Sequence, residues 1–326
     1  MTDSQVDSPQ AAESWDNYWQ GIAEAGAHSV GGARHPAIKA FWQEVFFEAA
    51  QDYTNPAILD IASGSGPLLD LALLAFGVEG ADITSIDISG AAIESIRQRY
   101  PSVHGLVADA SSIPLEADKF DLVTSQFGVE YAGQEAIPEA VRLNARGGRL
   151  ALMMHKKGSR IHNECEETLD AIERTQRSGF IPLATQMLRA GFAAVGGADR
   201  EPYDTAGMKF APAVAALEAV MKQYGKNVAG DTVLSLYSGV ADIHENIQHY
   251  DPDEVLSWLE RMDGELETFK GRMTSMLETA TDYETFDRIC VNLQELGYST
   301  EQAGPLMVPG EDLPLAWIVV ANKEAA

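Results

Sequence analysis

The segment from Ala57 to Leu71, A-I-L-D-I-A-S-G-S-G-P-L-L-D-L, restricts this chain more than any other stretch of it. Ala57 to Ile61 is short, apolar and β-branched, the pattern of a parallel strand buried on both faces. Gly64 and Gly66 follow where the chain must turn sharply and let a ligand approach its backbone, and a helix is expected from about Pro67. Strand, glycine turn and helix together predict a ring of backbone N–H groups facing a bound, nucleotide-like molecule.

A second apolar run, I-T-S-I-D-I-S, ends in Asp87 twenty-one residues after Gly66. An acid at that distance is the expected acceptor for the two hydroxyls of a ribose. Asp60, Gly64, Gly66 and Asp87 therefore argue for an adenosine-type cofactor. The dinucleotide fingerprint G-x-G-x-x-G needs a third glycine where this chain has Leu69, so a nicotinamide or flavin reading loses weight.

Asp60-Ile61-Ala62-Ser63-Gly64-Ser65-Gly66 resembles the first motif of the class I S-adenosylmethionine-dependent methyltransferases, D-x-x-x-G-x-G, and four further segments resemble that family in order. L-V-A-D-A supplies Asp109 and Ala110 after a third strand and ahead of a helix-like segment. Phe120 to Tyr131 fits the fourth strand and the loop after it. Gly147 and Gly148 precede a fifth strand, Arg149 to His155. Pro314 to Lys323 resembles the last strand. The resemblance implies a Rossmann-like α/β fold, a doubly wound, mostly parallel seven-stranded sheet with an antiparallel last strand, and S-adenosylmethionine as cofactor. Carried over position by position, it assigns Asp60, Ala62, Ser63, Gly64 and Gly66 to the methionine part. Asp87 with Ile88 falls to the ribose side, Asp109 with Ala110 to the adenine edge, and Gln126 and Phe127 border the methyl group.

The acceptor should meet residues that follow strands four and five. Methyl transfer is an in-line displacement, which needs alignment and exclusion of water. A base is needed only when the acceptor atom must lose a proton. His155 at the end of strand five, and Glu130 and Tyr131 after strand four, are the catalytic candidates. Each also has a plainer reading: His155 as a strand-end residue bonded to backbone, and the other two as pocket wall.

Charge narrows the partners. The chain carries 49 acidic and 23 basic residues, a formal net charge of −26, and such a field repels phosphate backbones. Ser125-Gln126-Phe127-Gly128 also lacks the [DNS]-P-P-[YFW] motif of nucleic-acid amino-methylating enzymes. The expected partner is a small-molecule substrate, with no nucleic acid and no membrane; the alternatives are a protein acceptor, whose basic surface the acidic charge would permit, and a protein of the same fold that binds S-adenosylmethionine without transferring its methyl. Two cysteines, Cys165 and Cys290, give neither a disulfide framework nor a thiolate cluster. His162 and Glu166 have two-ligand spacing on a helix but no third ligand, so no metal is expected. With no signal-peptide pattern at Met1 to Gln10 and no apolar run long enough to span a bilayer, the expected location is the cytoplasm.

Three regions are expected. Residues 1–54 form a polar tail and a helical arm, in which Trp15, Tyr18 and Trp19 share a helical face, His28, Arg34 and His35 lie in a glycine-rich link, and a helix starts at Pro36. The arm either docks on the domain or closes over the cofactor. Residues 55–155 plus 281–326 form the cofactor-binding core. Residues 156–280 are too many for a loop and should be a helical insertion capping the substrate. Ile161, Cys165, Leu169 and Ile172 make an apolar stripe there. Asp251-Pro252-Asp253-Glu254 opens a helix whose Val255, Leu259, Met262, Leu266, Phe269, Met273 and Met276 repeat every seven residues. That stripe is either packed within the insertion or the seam of a homodimer.

Overall fold

A computed structural model describes residues 15–16, 35–133 and 135–325. The polar tail, Tyr18, Trp19, His28 and Arg34 lie outside the described residues. The chain divides into two compact units, Met1–His162 with Thr279–Ala326, and Asn163–Glu278.

The first unit is built on a seven-stranded sheet of order β3-β2-β1-β4-β5-β7-β6. Its strands are β1 (Ala57–Ile61), β2 (Asp82–Asp87), β3 (His104–Val107), β4 (Phe120–Gln126), β5 (Asn144–His155), β6 (Tyr298–Pro305) and β7 (Ala316–Lys323). The pairs β1–β2, β2–β3, β1–β4 and β4–β5 are parallel, and β7 runs antiparallel to both β5 and β6. This is the doubly wound sheet with one inverted strand that the sequence predicts. Strand order reverses between β1 and β4, which opens the crevice where such sheets take ligands.

Three helices, α1 (Pro36–Asp52), α2 (Leu69–Phe76) and α3 (Gly90–Arg99), precede β1, β2 and β3 in turn. Proline begins α1, and the His35 ring accepts a hydrogen bond from Ala37 N at its start. Helix α2 begins two residues later than Pro67 suggests, because Gly66, at φ +82, and the turn after it complete the reversal first. The next two helices of this unit are α4 (Ala136–Leu143) and, toward the C-terminal end, one over Tyr283–Glu295. Leu59, Ile61, Val123, Leu150 and Leu152 form one core with Val141, Phe286 and Leu293 from these two helices.

Residues 108–119 depart from the expectation of a helix after β3: they are turns and irregular chain. Asp109 Oδ1 captures both Ser111 N, at 2.8 Å, and Ser111 Oγ, at 2.7 Å. Such a local side-chain acceptor competes with helix formation. Glu139 and Arg142 on α4 satisfy the next backbone groups: Glu139 Oε1 accepts from Ile113 N, and the Arg142 guanidinium donates to Ile113 O and Leu115 O. The loop is thus held by side chains in place of a helical ladder.

Midway along β5 the guanidinium of Arg149, only 5% exposed, lies among Glu301 (3.1 Å), Asp52 (3.4 Å), Glu48 (3.5 Å) and Asn322 Oδ1 (3.2 Å). It ties α1 to the β6–β7 pair through one planar fork. The three carboxylates remain roughly half exposed, which screens their share. Arg149→Met should lower unfolding free energy by about 2 kcal/mol, the scale of hydrogen bonds to a charged group. Urea denaturation checks this, and a change below about 0.5 kcal/mol would mean the cluster behaves as ordinary surface pairs.

The second unit is helical. It contains most of α5 (Arg160–Arg177), then α6 (Phe180–Val195), α7 (Glu201–Tyr224), α8 (Thr232–Glu245) and nearly all of α9 (Pro252–Thr279), with the chain returning through α10 (Tyr283–Glu295). Asp251 Oδ1 accepts from Asp253 N and Glu254 N and starts α9 as its sequence predicts. Val255, Leu259, Met262 and Leu266 of the seven-residue stripe join Phe180, Leu188, Leu217 and Leu236 in one core. That part of the stripe is consumed inside the unit. Cys165 is fully buried, and burial pushes its thiol up to about 12.

Candidate active site

At the carboxyl end of β1 the chain turns through Ala62, Gly64 and Gly66, all at positive φ (+53, +52 and +82). A Cβ on Gly66 would stand 2.8 Å from Leu69 Cδ1, so glycine there satisfies both backbone angle and space. The predicted ring of free backbone N–H groups is not what the turn presents. Ser63 N donates to Ile86 O, Gly66 N to Ser63 O and Gly64 N to Asp87 Oδ2, each within 2.9 Å. These amides are spent on the turn itself, which removes the feature that binds phosphate. The surroundings are acidic instead, and suit a ligand with cationic and hydroxyl groups.

Asp87 is 7% exposed. Besides Gly64 N, at 2.8 Å, it accepts from Ser89 N at 2.9 Å through its other oxygen. It therefore fastens the glycine turn to the end of β2, a role its position in the sequence did not show. Burial raises its carboxyl above the ordinary range, and the two backbone donors act against that rise. Asp16 approaches the same corner: its Oδ1 accepts from Ser89 Oγ and, at 3.1 Å, from Ala91 N, and so caps α3. Ile88 links Asp87 to this cap.

Asp60 is 3% exposed. Its Oδ1 accepts from Thr124 Oγ1 at 3.0 Å, and its Oδ2 has no partner. Desolvation pushes its carboxyl up to about 7, reinforced by the Asp87 charge and opposed by Thr124. Its folded value lies above its unfolded one, so its contribution favours the folded state at low pH and is lost as pH rises through 7. The ligand-free protein should melt at a higher temperature at pH 6 than at pH 8, and Asp60→Asn should remove most of that difference. An unchanged slope in a thermal melt series would contradict the assignment.

Beyond β4, Phe127 N donates to Met153 O at 2.7 Å. Phe127 itself sits at φ +54, a costly angle for a bulky residue. That angle lays its ring flat against the His155 imidazole, with centroids 4.2 Å apart. Gly128 follows, where a Cβ would come within 2.4 Å of Ala62 Cβ. The loops after β1 and β4 thus touch through two of the smallest side chains, a contact no single motif reveals.

The turn Val129–Ala132 carries Glu130 and Tyr131 back to the end of β5. Glu130 Oε1 accepts from both His155 N and His155 Nδ1, each at 2.8 Å. A carboxylate only accepts, so Nδ1 carries the proton and Nε2 is left as the basic nitrogen. Both side chains are under 10% exposed, and Glu130 Oε2 is buried without a partner. Tyr131 meets His155 edge-on at 5.8 Å, and Trp15 meets Tyr131 edge-on at 5.3 Å. The three catalytic candidates, Glu130 with its neighbour Tyr131 and His155 from the next strand, form one cluster.

The remaining predicted positions do not converge on one point. Asp109 is held in its turn, Ala110 is 7% exposed, and Gln126 ends β4 half-buried. Among the described residues no group of three or more His, Cys, Asp and Glu side chains could hold a metal ion.

Residues 58–148 match the family model described as a methyltransferase domain. Among curated proteins, the demethylmenaquinone methyltransferase of Renibacterium salmoninarum is 25% identical over 113 residues, 34% of this chain and 46% of that protein. The malonyl-[acyl-carrier protein] O-methyltransferase of Salmonella typhimurium is 30% identical over 106 residues, 32% of this chain and 41% of that protein. The chain spans less than half the length of the curated relatives it matches. Among solved structures, a TehB-like SAM-dependent methyltransferase from Corynebacterium glutamicum aligns with 45% of this chain and 74% of its own, at 22% identity and a TM-score of 0.32. The CurJ carbon methyltransferase aligns with 87% of this chain and 54% of its own, at 13% identity and a TM-score of 0.44.

Proposed function

From the premise that this chain carries a class I S-adenosylmethionine-dependent methyltransferase domain, we propose that it transfers the methyl group to a small molecule whose acceptor atom must first lose a proton. The observation that carries this reading is the His155–Glu130 pair at the ends of β5 and β4, beside the loop that touches the glycine turn. A methyl acceptor that needed no deprotonation would give a buried, carboxylate-oriented imidazole no task.

The residues fit the cofactor. The unpartnered, buried Oδ2 of Asp60 suits an ammonium group, the positive-φ turn at Gly64 and Gly66 leaves room for a ligand chain, and the internally satisfied amides do not ask for phosphate. Asp60, Ala62, Ser63, Gly64 and Gly66 would hold the methionine part. Asp87 and Ile88 would hold the ribose, Asp109 and Ala110 the adenine edge, and Gln126 and Phe127 would border the methyl. The bound cofactor supplies an electrophilic methyl on a sulfonium.

His155 Nε2 takes the acceptor's proton, and Glu130 fixes the tautomer and stabilises the imidazolium that results. Phe127 supports the ring from one face, and Tyr131 and Trp15 form an aromatic wall beside it. The aromatic surroundings exclude water that would compete for the methyl. The names of the relatives mention a quinone precursor and a malonyl thioester carrier, which favours an acceptor with an acidic oxygen or carbon. The charge of −26 argues against nucleic acid, and no helix among the described residues is long and apolar enough to cross a membrane. With both cysteines free, we place the enzyme in the cytoplasm.

Isotopic methyl transfer from S-adenosylmethionine into a cell extract, fractionated into small molecules, protein and nucleic acid, tests the proposal. Label in the small-molecule fraction that disappears with Asp87→Ala is the expected result. Label confined to protein would identify a macromolecular acceptor and overturn it.

A further inference from the structure

We infer that Trp317 is a positioning residue for the base: its indole N–H holds the Thr281 carbonyl, and Thr281 in turn holds the main chain of His155. The inference rests on the proposed role of His155 in taking the acceptor's proton.

Trp317 lies on β7 opposite Met154, one register position from the pair that His155 makes with Ala316. Side chains alternate between the two faces of a strand, so the indole and the imidazole leave the sheet on opposite sides. The link between them is the main chain of Thr281. Trp317 is 4% exposed. The Phe286 ring stacks on it, with centroids 4.1 Å apart and 11° between the planes. The Lys156 ammonium stands over the indole, 4.7 Å from the ring centroid, where a cation draws on the ring's electrons and makes its N–H the stronger donor. That N–H donates to Thr281 O at 2.9 Å. Lys157 N donates to the same oxygen at 3.0 Å, and Thr281 N donates to His155 O at 2.8 Å. Thr281 also bridges Lys156 in parallel, so one buried residue continues the pairing where β5 runs out.

Glu130 Oε1 takes both His155 N and His155 Nδ1, and both of those bonds lie on the N–H side of the residue. Alone they leave the peptide group after His155 able to tilt. Thr281 removes that freedom by holding the carbonyl. Nε2 lies at the far end of the ring, where a small tilt of the main chain is enlarged, so the carbonyl anchor decides where the proton-accepting atom points. Supporting groups of this kind fix a reacting side chain without touching the substrate. A phenylalanine at position 317 would fill the same stack against Phe286, so what tryptophan adds is the donor. A buried indole N–H needs an acceptor, and this one is given to the residue that anchors the base.

A double-mutant cycle in the full chain tests this. Trp317→Phe keeps a ring on Phe286 and leaves no acceptor unpaired, because Lys157 N still serves Thr281 O. It should slow isotopic methyl transfer from S-adenosylmethionine into the small-molecule fraction of a cell extract about tenfold, the effect of a slight misplacement of the reacting group. Affinity for S-adenosylhomocysteine should stay within about threefold, as expected when binding is spared and chemistry is not. Added to His155→Gln, the same change should slow transfer by no more than about twofold further, because groups that act as a unit are not additive. If Trp317→Phe does not fold, Phe286→Leu, which keeps the N–H but frees the indole to swing, is measured in the same two backgrounds and should show the same dependence on His155. An equal loss in both backgrounds would make Trp317 a packing residue and overturn the inference. A natural rate in Trp317→Phe beside a collapsed rate in His155→Gln would overturn the inference alone. A natural rate in His155→Gln would overturn the base reading and the inference with it.

Discussion

Replacing His155 with Gln should lower the turnover of methyl transfer by roughly 10²- to 10⁴-fold, the usual contribution of a positioned general base. Its affinity for S-adenosylhomocysteine should stay within about threefold of the natural protein. The split follows from geometry: the imidazole touches Glu130, Phe127 and Tyr131, and of the positions proposed for the cofactor only Phe127, at the methyl border, is among them. Glu130→Gln keeps the shape but removes the negative charge that stabilises the imidazolium. It should therefore reduce turnover less than loss of the ring does, again with cofactor affinity preserved. The comparison is made on the acceptor recovered from labelled extract, with turnover and cofactor affinity measured separately. If His155→Gln turns over within threefold of the natural protein, the acceptor needs no base, and the pair is a buried strut between two strand ends.

A second large effect is expected from Gly128→Ala. The added methyl would sit 2.4 Å from Ala62 Cβ, 3.3 Å from Ala62 O and 3.2 Å from Ser125 Oγ. Carbon atoms cannot approach that closely, and the loop after β1 has to move. Overpacking of this kind costs about 1–3 kcal/mol. Because the loop that moves carries Gly64 and Gly66, cofactor affinity should fall by more than tenfold. The double variant Ala62→Gly with Gly128→Ala removes the clashing methyl at a position with φ +53, where glycine is comfortable. It should recover most of the affinity. Failure of the double variant to recover would mean that Gly128 is needed for its own conformation, φ −140 and ψ −48, and the contact with Ala62 is incidental.

The parts of this molecule legible in sequence are those whose cause is local. The apolar runs of β1, β2, β4 and β5 are bounded by Gly64, Gly77, Gly128 and Gly147, so their order and polarity follow from the chain itself. His155 ends one strand and Glu130 and Tyr131 follow another on the ligand side of an open sheet, and the crossover from β4 to β5 brings them together. What was not legible depends on side chains arriving from elsewhere. The segment after Asp109 carries nothing that announces its dependence on Glu139 and Arg142. The internal use of the glycine-turn amides requires knowing that Asp87 reaches back to Gly64. The pairing of Trp15 with Tyr131 crosses more than a hundred residues, and an aromatic helical face does not say which ring it will meet.

Strand β7, which separates β5 from β6 in the sheet, is made after the whole helical unit that follows β5, and this sets an order of events during synthesis. After His155 leaves the ribosome, β5 has β4 on one side and an open edge on the other until Ala316 follows. At typical elongation rates of 5–20 residues per second that interval is on the order of ten seconds or more. An open edge invites pairing with other chains, and the residues exposed on it, Leu150 to Met154, are among the most apolar of the sheet. His155 pairs with Ala316, and its carbonyl accepts from Thr281 N at 2.8 Å. The backbone that holds His155 is therefore fixed only after β7 has been made. Its competence would emerge late and all at once, and the waiting edge of β5 is where a chaperone would most usefully bind.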